Sequence, residues 1–405
     1  MWVSNNKFGG KMGGFLYKLD LAIRYHESIG EKHMVYYLRN QYDVFKDITE
    51  HNKEYLVASY YVPSELLELF DVQTVYIERF AGLAAAWRLY EKPATQAEAQ
   101  GFPSGRCSYQ ALFHLLIESG IIPKPVGFAA MSYACRDAWT YCRDTAEQYK
   151  LPFYFIDIPK ITEKDQLTYL AKQLEELYER LKTTFPLKTS IEEVVAASNE
   201  ALEIKHEIDA FRIKNPESVN IIDLFKLFPL YNDLGKKSTV QILKAFKDKL
   251  EKDSIQANKK NVAKIIWLGI VPLYKNSLLK DIENKLDCRI VGEEMFDFGM
   301  MKLSKETFFE DLARRIISSR FFTWESRMEA IFKSVMDFEV KGIVHFSHRN
   351  CSFLPPLVPH IKKKAEEEKI PFVEIQGDVV DPAYFNEQQM WEQLDSFFEQ
   401  IHGRT

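Results

Sequence analysis

Pro125-Val126-Gly127-Phe128-Ala129-Ala130-Met131-Ser132-Tyr133-Ala134-Cys135 is the stretch on which the fold turns. Pro125 to Met131 is an apolar run of strand length that stops at small and polar residues. Asp137 to Tyr149 follows as an amphipathic helix. Phe153 to Ile158 is the next apolar run, closed by Pro159. Strands separated by helices of 10–15 residues indicate βαβ units and a parallel sheet. Working upstream, Val72 to Ile77 is a β-type run ended by Glu78-Arg79, and Tyr55 to Ser59 is another ended by a small polar residue. Pro63-Ser64-Glu65 opens a helix between them. Leu16 to Val44 reads as helical, with apolar residues three and four apart.

Downstream the pattern changes. Thr162 to about Asp253 is rich in Leu, Glu, Lys and Ala, and no convincing strand interrupts it. From Val262 the alternation returns. Lys264–Leu268, Cys288–Val291, Lys341–Phe346 and Pro371–Ile375 read as strands. Helices are expected from about Ser277, over Pro359–Lys369 and over Glu387–Ile401. The expected fold class is therefore α/β: two similar α/β domains with parallel sheets, joined by a largely helical middle segment. The boundaries expected are 1–160, an N-terminal α/β domain with a helical N-terminal extension, 161–255 for the helical segment, and 256–405 for the C-terminal α/β domain. No internal repeat or low-complexity stretch is visible in the sequence.

Composition narrows the class. A chain of 405 residues with 46% hydrophobic content suggests two or three domains and a substantial core. With 53 basic and 58 acidic residues the net charge is -5, which argues against disorder and against a nucleic-acid binder. Met1 to Tyr17 lacks the apolar core of a targeting signal, and nothing approaches the roughly 18 apolar residues of a membrane span. Five cysteines are too few, and odd in number, for a disulfide framework. The expectation is a soluble cytoplasmic protein.

Position singles out some of those cysteines. Ligands in open α/β sheets bind beyond the carboxyl ends of the strands. Ser59, Glu78, Cys135 and Cys351 sit at or just past such ends, and Cys107 lies in a turn-rich segment leading into a helix. Soft thiolates select zinc or iron–sulfur clusters. Zinc has little support, because no Cys-x-x-Cys pair or finger-spaced His occurs. Buried, inert thiols remain the alternative on spacing alone.

Five stretches carry a resemblance: Val57-Ala58-Ser59-Tyr60-Tyr61-Val62-Pro63, Gly105-Arg106-Cys107-Ser108-Tyr109, Met131-Ser132-Tyr133-Ala134-Cys135, Phe346-Ser347-His348-Arg349-Asn350-Cys351 and Gly377-Asp378-Val379-Val380-Asp381-Pro382. In order and spacing the chain resembles the iron–sulfur subunits of the 2-hydroxyacyl-CoA dehydratase and benzoyl-CoA reductase family. The resemblance covers about Tyr55–Pro159 and Ile265–Ile401. It implies a 4Fe-4S cluster on Cys107, Cys135 and Cys351, with one open or exogenous ligand position. It implies dehydration of an (R)-2-hydroxyacyl-CoA to the 2-enoyl-CoA through a ketyl radical. The alternatives it leaves are aromatic ring reduction and a non-catalytic electron-transfer subunit. The partners implied are an acyl-CoA thioester, a related second iron–sulfur subunit and an ATP-hydrolysing iron–sulfur activator, with neither nucleic acid nor membrane. No Walker pattern occurs in this chain, so ATP hydrolysis falls to another protein.

The same resemblance places Ser59 and Glu78 in the active site, the hydroxyl to hold water or substrate and the carboxylate to move a proton. The plainer roles are a helix cap for Ser59 and a surface ion pair for Glu78. His348 and Arg349 are candidates to meet a phosphate or thioester. His345, inside a strand, reads as a core histidine. Asp378 and Asp381 read as turn and cap residues before Pro382. Cys142 and Cys288 read as buried thiols, and five cysteines in all disfavour a double cubane needing six. Lys362–Lys364 with Glu366–Glu368 reads as a solvated helix face.

Overall fold

The computed structural model describes residues 10–158, 163–256, 262–275, 277–299 and 301–403. Pro159, expected to close a strand, lies outside the described residues, as do residues 1–9. Among the described residues, eight strands form two four-stranded sheets, all parallel. The first sheet holds β1 (Tyr55–Ala58), β2 (Gln73–Tyr76), β3 (Gly127–Met131) and β4 (Phe153–Ile156) in the order β2-β1-β3-β4. The second holds β5 (Ala263–Leu268), β6 (Cys288–Glu293), β7 (Gly342–His348) and β8 (Phe372–Gly377) in the order β6-β5-β7-β8. Among the described residues no strand interrupts the helices between β4 and β5. The α/β class, with two parallel sheets and a helical middle, is the one the sequence led us to expect.

Each sheet is built the same way. Its first strand pairs with the second on one side and the third on the other, as Val57 does with Val75 and Phe128, and Ile266 with Gly292 and Ile343. Successive strands are therefore added in opposite directions from the first, which opens a crevice at the carboxyl ends of β1 and β3, and of β5 and β7. Burial on both faces explains why the strands are near-continuous apolar runs. β1, β3 and β7 are buried throughout, whereas the edge strands β4 and β8 are only partly so. Trp267 and Phe346 stack on neighbouring strands with ring centroids 6.2 Å apart. Full burial of a side chain such as Phe346 stabilises by roughly 2–3 kcal/mol. One continuous apolar core runs from Phe15 to Ile401 and takes in both sheets.

Gly269 ends β5 with φ +79°, and a Cβ there would lie 2.4 Å from the Phe346 carbonyl oxygen. Only glycine suits that close, left-handed turn. Its N–H donates to Glu294 Oε1 over 2.8 Å, tying the ends of β5 and β6 together.

Three local expectations are revised. Leu16–Val44 is two helices, Gly10–Ser28 and Lys32–Thr49, broken at Gly30 with φ +76°. The second strand stops at Tyr76, and Ile77 starts the Ile77–Ala86 helix, so Glu78 lies in a first helical turn. Two helices between β6 and β7, Phe308–Ile317 and Trp324–Asp337, were not anticipated.

Candidate active site

Two of the candidate cysteines cap helices. Cys107 is the N-cap of the Ser108–Glu118 helix, and Cys135 that of the Arg136–Tyr149 helix just past β3. Cys351 follows β7. Sharp turns deliver them. Ala134 at φ +67° precedes Cys135, Asn350 at φ +61° precedes Cys351, and Gly105 at φ +77° comes two residues before Cys107. An alanine held in the left-handed region costs about 1–2 kcal/mol, strain of the kind that concentrates at functional sites. The turns close with Cys135 N–H donating to the Tyr133 carbonyl and Cys351 N–H to that of His348, both at 3.1 Å.

The three thiols are electrostatic neighbours. Burial pushes Cys107 well above the usual thiol range, and negative charge on Cys135 and Cys351 pushes it further. Burial also raises Cys135, with Glu78 and Cys351 adding to it, and burial raises Cys351. Cys135 and Cys351 are only partly buried. Among the described residues, no three His, Cys, Asp or Glu side chains close tightly enough to grip a single metal ion.

Cys107 meets the other half of the molecule. His348 Nε2 lies 3.2 Å from its sulfur and 3.5 Å from Ser108 Oγ. Val379 N–H donates to His348 Nδ1 at 3.2 Å, so both ring nitrogens engage protein groups. Ser108 donates to Asp378 Oδ1 at 2.7 Å, and that oxygen also takes the N–H groups of Val380 and Asp381, each at 2.9 Å. Asp381 caps the short turn at Pro382 by accepting from Ala383 N–H, and its other oxygen accepts from Ala94 N–H of the first half, both at 3.0 Å. Asp378 and Asp381 therefore shape the turn, as expected, and also join the two halves.

Glu78 carries the most displaced carboxyl beside the thiols. Its Oε2 is buried without a hydrogen-bond partner. Burial raises its pKa from 4.5 to about 7, against a smaller opposing effect of its own backbone N–H. The surface ion pair considered for Glu78 does not form among the described residues; neighbouring Arg79 is buried and bonds Asp233 at 2.8 Å. Ser59 is buried, its N–H donating to Ala129 O at 3.0 Å as an extension of the sheet. The following helix is capped by Pro63 and takes no side-chain cap, which removes the capping role for Ser59.

Aromatic rings wall this region. Tyr61 meets Tyr133 edge-on at 4.9 Å and Phe353 at 6.4 Å, and Tyr60 stacks on Tyr231 at 5.5 Å. Tyr60, Tyr61 and Tyr231 line, with Asp297, Arg315 and Phe321, a cavity of ≈ 10 Å³, room for about one water. On the far side of Cys351 an open groove of ≈ 680 Å³ runs past His348 and Arg349 to Tyr384. Arg349 is exposed there and stacks 3.7 Å over the Tyr384 ring.

Behind the Cys351 turn stands a pair the sequence reading missed. Arg327 donates from Nε and Nη2 to the two oxygens of Glu294, both at 2.8 Å, and from Nη1 to the Leu354 carbonyl at 2.7 Å. His345, fully buried, lies 3.4 Å from Arg327 Nη2, a core role as expected. An Arg inside an apolar helical pattern (Met328, Ile331, Phe332, Val335) was the available signal. Cys142 and Cys288 are buried free thiols. Lys363–Glu367 and Lys364–Glu368 form (i, i+4) pairs on a solvated face. Among the described residues, no helix is long and apolar enough to cross a membrane.

Comparison with known proteins agrees with the resemblance. The chain is 23% identical over 350 residues to the (R)-phenyllactyl-CoA dehydratase alpha subunit of Clostridium sporogenes, covering 81% of this chain and 84% of that one. It is 22% identical over 374 residues to the (R)-2-hydroxyisocaproyl-CoA dehydratase alpha subunit of Clostridioides difficile, covering 84% and 88%. The profile of the family described as "2-hydroxyglutaryl-CoA dehydratase, D-component" matches residues 59–401. The chain belongs to that family.

Proposed function

We propose that this chain is the subunit of a 2-hydroxyacyl-CoA dehydratase that holds a 4Fe-4S cluster on Cys107, Cys135 and Cys351 and removes water from an (R)-2-hydroxyacyl-CoA. The observation that carries this reading is the electrostatic proximity of three free thiols, from the two parallel sheets, with a carboxyl of pKa about 7 acting on Cys135. The donor set fits. Three thiols whose pKa values burial raises, with Cys351 adding to the rise at Cys107 and Cys135, are poor hosts for bare thiolates and good ones for a cationic centre. Such a cluster, held by Cys107, Cys135 and Cys351, would supply one-electron chemistry and a Lewis-acid position for the thioester.

The chain's own groups handle the rest. Dehydration takes a hydroxyl from C2 and a proton from C3. Glu78, titrating near neutrality, can carry a proton between its Oε2 and the substrate in both steps. Ser59 Oγ orients the hydroxyl or a water. Tyr60, Tyr61, Tyr133 and Phe353 keep bulk water out of the reacting space. Arg349 offers its guanidinium to the groove, where the phosphates of a CoA thioester would pair with it. A related second subunit and an ATP-hydrolysing electron donor complete the enzyme.

The test is anaerobic reconstitution with iron and sulfide. About four irons per chain are expected. Fewer than about one overturns the reading. Cys→Ser at 107, 135 or 351 should abolish iron uptake, and C142S or C288S should leave it intact. Turnover of a 2-hydroxyacyl-CoA with activator and ATP checks the reaction itself.

A further inference from the structure

We infer that His348 is a positioning residue that donates a hydrogen bond to the Cys107 sulfur and so sets how readily the centre there accepts an electron. This rests on the cluster reading above. The tautomer follows from the hydrogen bonds. Val379 N–H, which can only donate, points at His348 Nδ1 over 3.2 Å. Nδ1 therefore presents its lone pair, and the ring proton sits on Nε2. Nε2–H faces two acceptors. Cys107 Sγ is the nearer at 3.2 Å, and Ser108 Oγ lies at 3.5 Å with its own proton committed to Asp378.

The loop that fixes this tautomer is itself held. Asp378 Oδ1 gathers Ser108, Val380 N–H and Asp381 N–H, which sets the backbone carrying the Val379 N–H. Tyr109 packs edge-on against the imidazole at 5.9 Å. His348 and Cys107 are both buried, 7% and 6% exposed, so water does not compete for the contact. Backbone N–H groups face the other sulfurs, from Ala138 for Cys135 and from Phe353 and Leu354 for Cys351. Cys107 has the Tyr109 N–H and the imidazole as well. A donor to a ligand sulfur withdraws charge from it and favours the reduced, more negative state. The electron comes from an external low-potential donor, and no bond is made or broken.

Reconstituted wild type, H348L and H348Q are titrated anaerobically with dithionite, and the reduced fraction is read from the spectrum. At the wild-type midpoint, H348L should lose at least about threefold in the reduced-to-oxidised ratio; tenfold corresponds to about 59 mV for one electron. H348Q, whose amide can still reach the sulfur, should recover most of that loss. H345L, a buried histidine of the same strand facing Arg327, should leave the ratio unchanged. An unchanged ratio in H348L at full iron content overturns the inference. If H348L takes up no iron, H348Q and H348N are compared, since the shorter Asn amide falls short of the sulfur; equal ratios overturn it. A wild type without iron overturns the cluster reading and this inference with it.

Discussion

Replacing Glu78 with Gln should make the protein more stable and the enzyme inactive. Burial raises the Glu78 carboxyl from 4.5 to about 7, and its Oε2 has no partner. In the unfolded chain the same carboxyl returns to an ordinary glutamate value. Between those two values the folded state holds a proton that the unfolded state has released, so stability falls as pH rises through the interval. Below about pH 4.5 both states are neutral and the residue is without penalty; above about pH 7 the penalty is complete. A rise of roughly 2.5 units at 1.36 kcal/mol per unit makes it about 3 kcal/mol. Gln keeps the shape and cannot ionise. The assay is urea unfolding of the iron-free protein under reductant. E78Q should match wild type near pH 4 and exceed it by about 3 kcal/mol near pH 8. Turnover should fall by about 10²–10⁴-fold, the range for loss of a general acid–base. Equal stabilities at pH 8, or a gain of the same size at both pH values, would refute the reasoning.

Two further substitutions probe the frame around the thiols. R327M leaves the Glu294 carboxylate buried and unpaired and should cost about 3–5 kcal/mol in unfolding at pH 7. It also frees the Leu354 carbonyl, so alkylation of Cys351 in iron-free protein should speed up; an unchanged rate would show that Arg327 does not hold that turn. Burial would push Glu294 up, yet the Arg327 guanidinium holds it below the usual range. The pair's contribution is therefore full above the unfolded glutamate value and lost as pH falls through the lowered one, and the R327M deficit should shrink in acid. G269A places a Cβ 2.4 Å from the Phe346 carbonyl at φ +79°, and should destabilise by about 1–3 kcal/mol in thermal or urea unfolding. A neutral result would mean that the β5 end yields easily.

The eight strands of the described residues were legible as short apolar runs bounded by small, polar or proline residues, most plainly the strands buried on both faces. The cysteines at strand ends were legible for the same reason. The Gly30 break was not, since the apolar spacing continues on both sides of it. The Phe308–Ile317 and Trp324–Asp337 helices have clear apolar spacing, so their signal is present in the sequence between β6 and β7. What no local pattern encodes is the contact of residues far apart in the chain. Cys107 reaches His348 and Ser108 reaches Asp378 only because the two sheets dock with their crevices facing. The partnerless Glu78 oxygen is likewise a product of packing, and Arg79 beside it turns away to Asp233.

The sulfurs also belong to different halves of the chain. Cys107 and Cys135 follow the first sheet's elements, and Cys351 follows β7 of the second. A cluster bound to all three, as proposed, would act as a rivet across the seam between the sheets, its binding energy adding to the cohesion of the halves. Chemistry and mechanical integrity would then share one fastening: damage to the centre would slacken the seam and shift its load onto the shared apolar core and onto contacts such as Ala94–Asp381 and Ser108–Asp378.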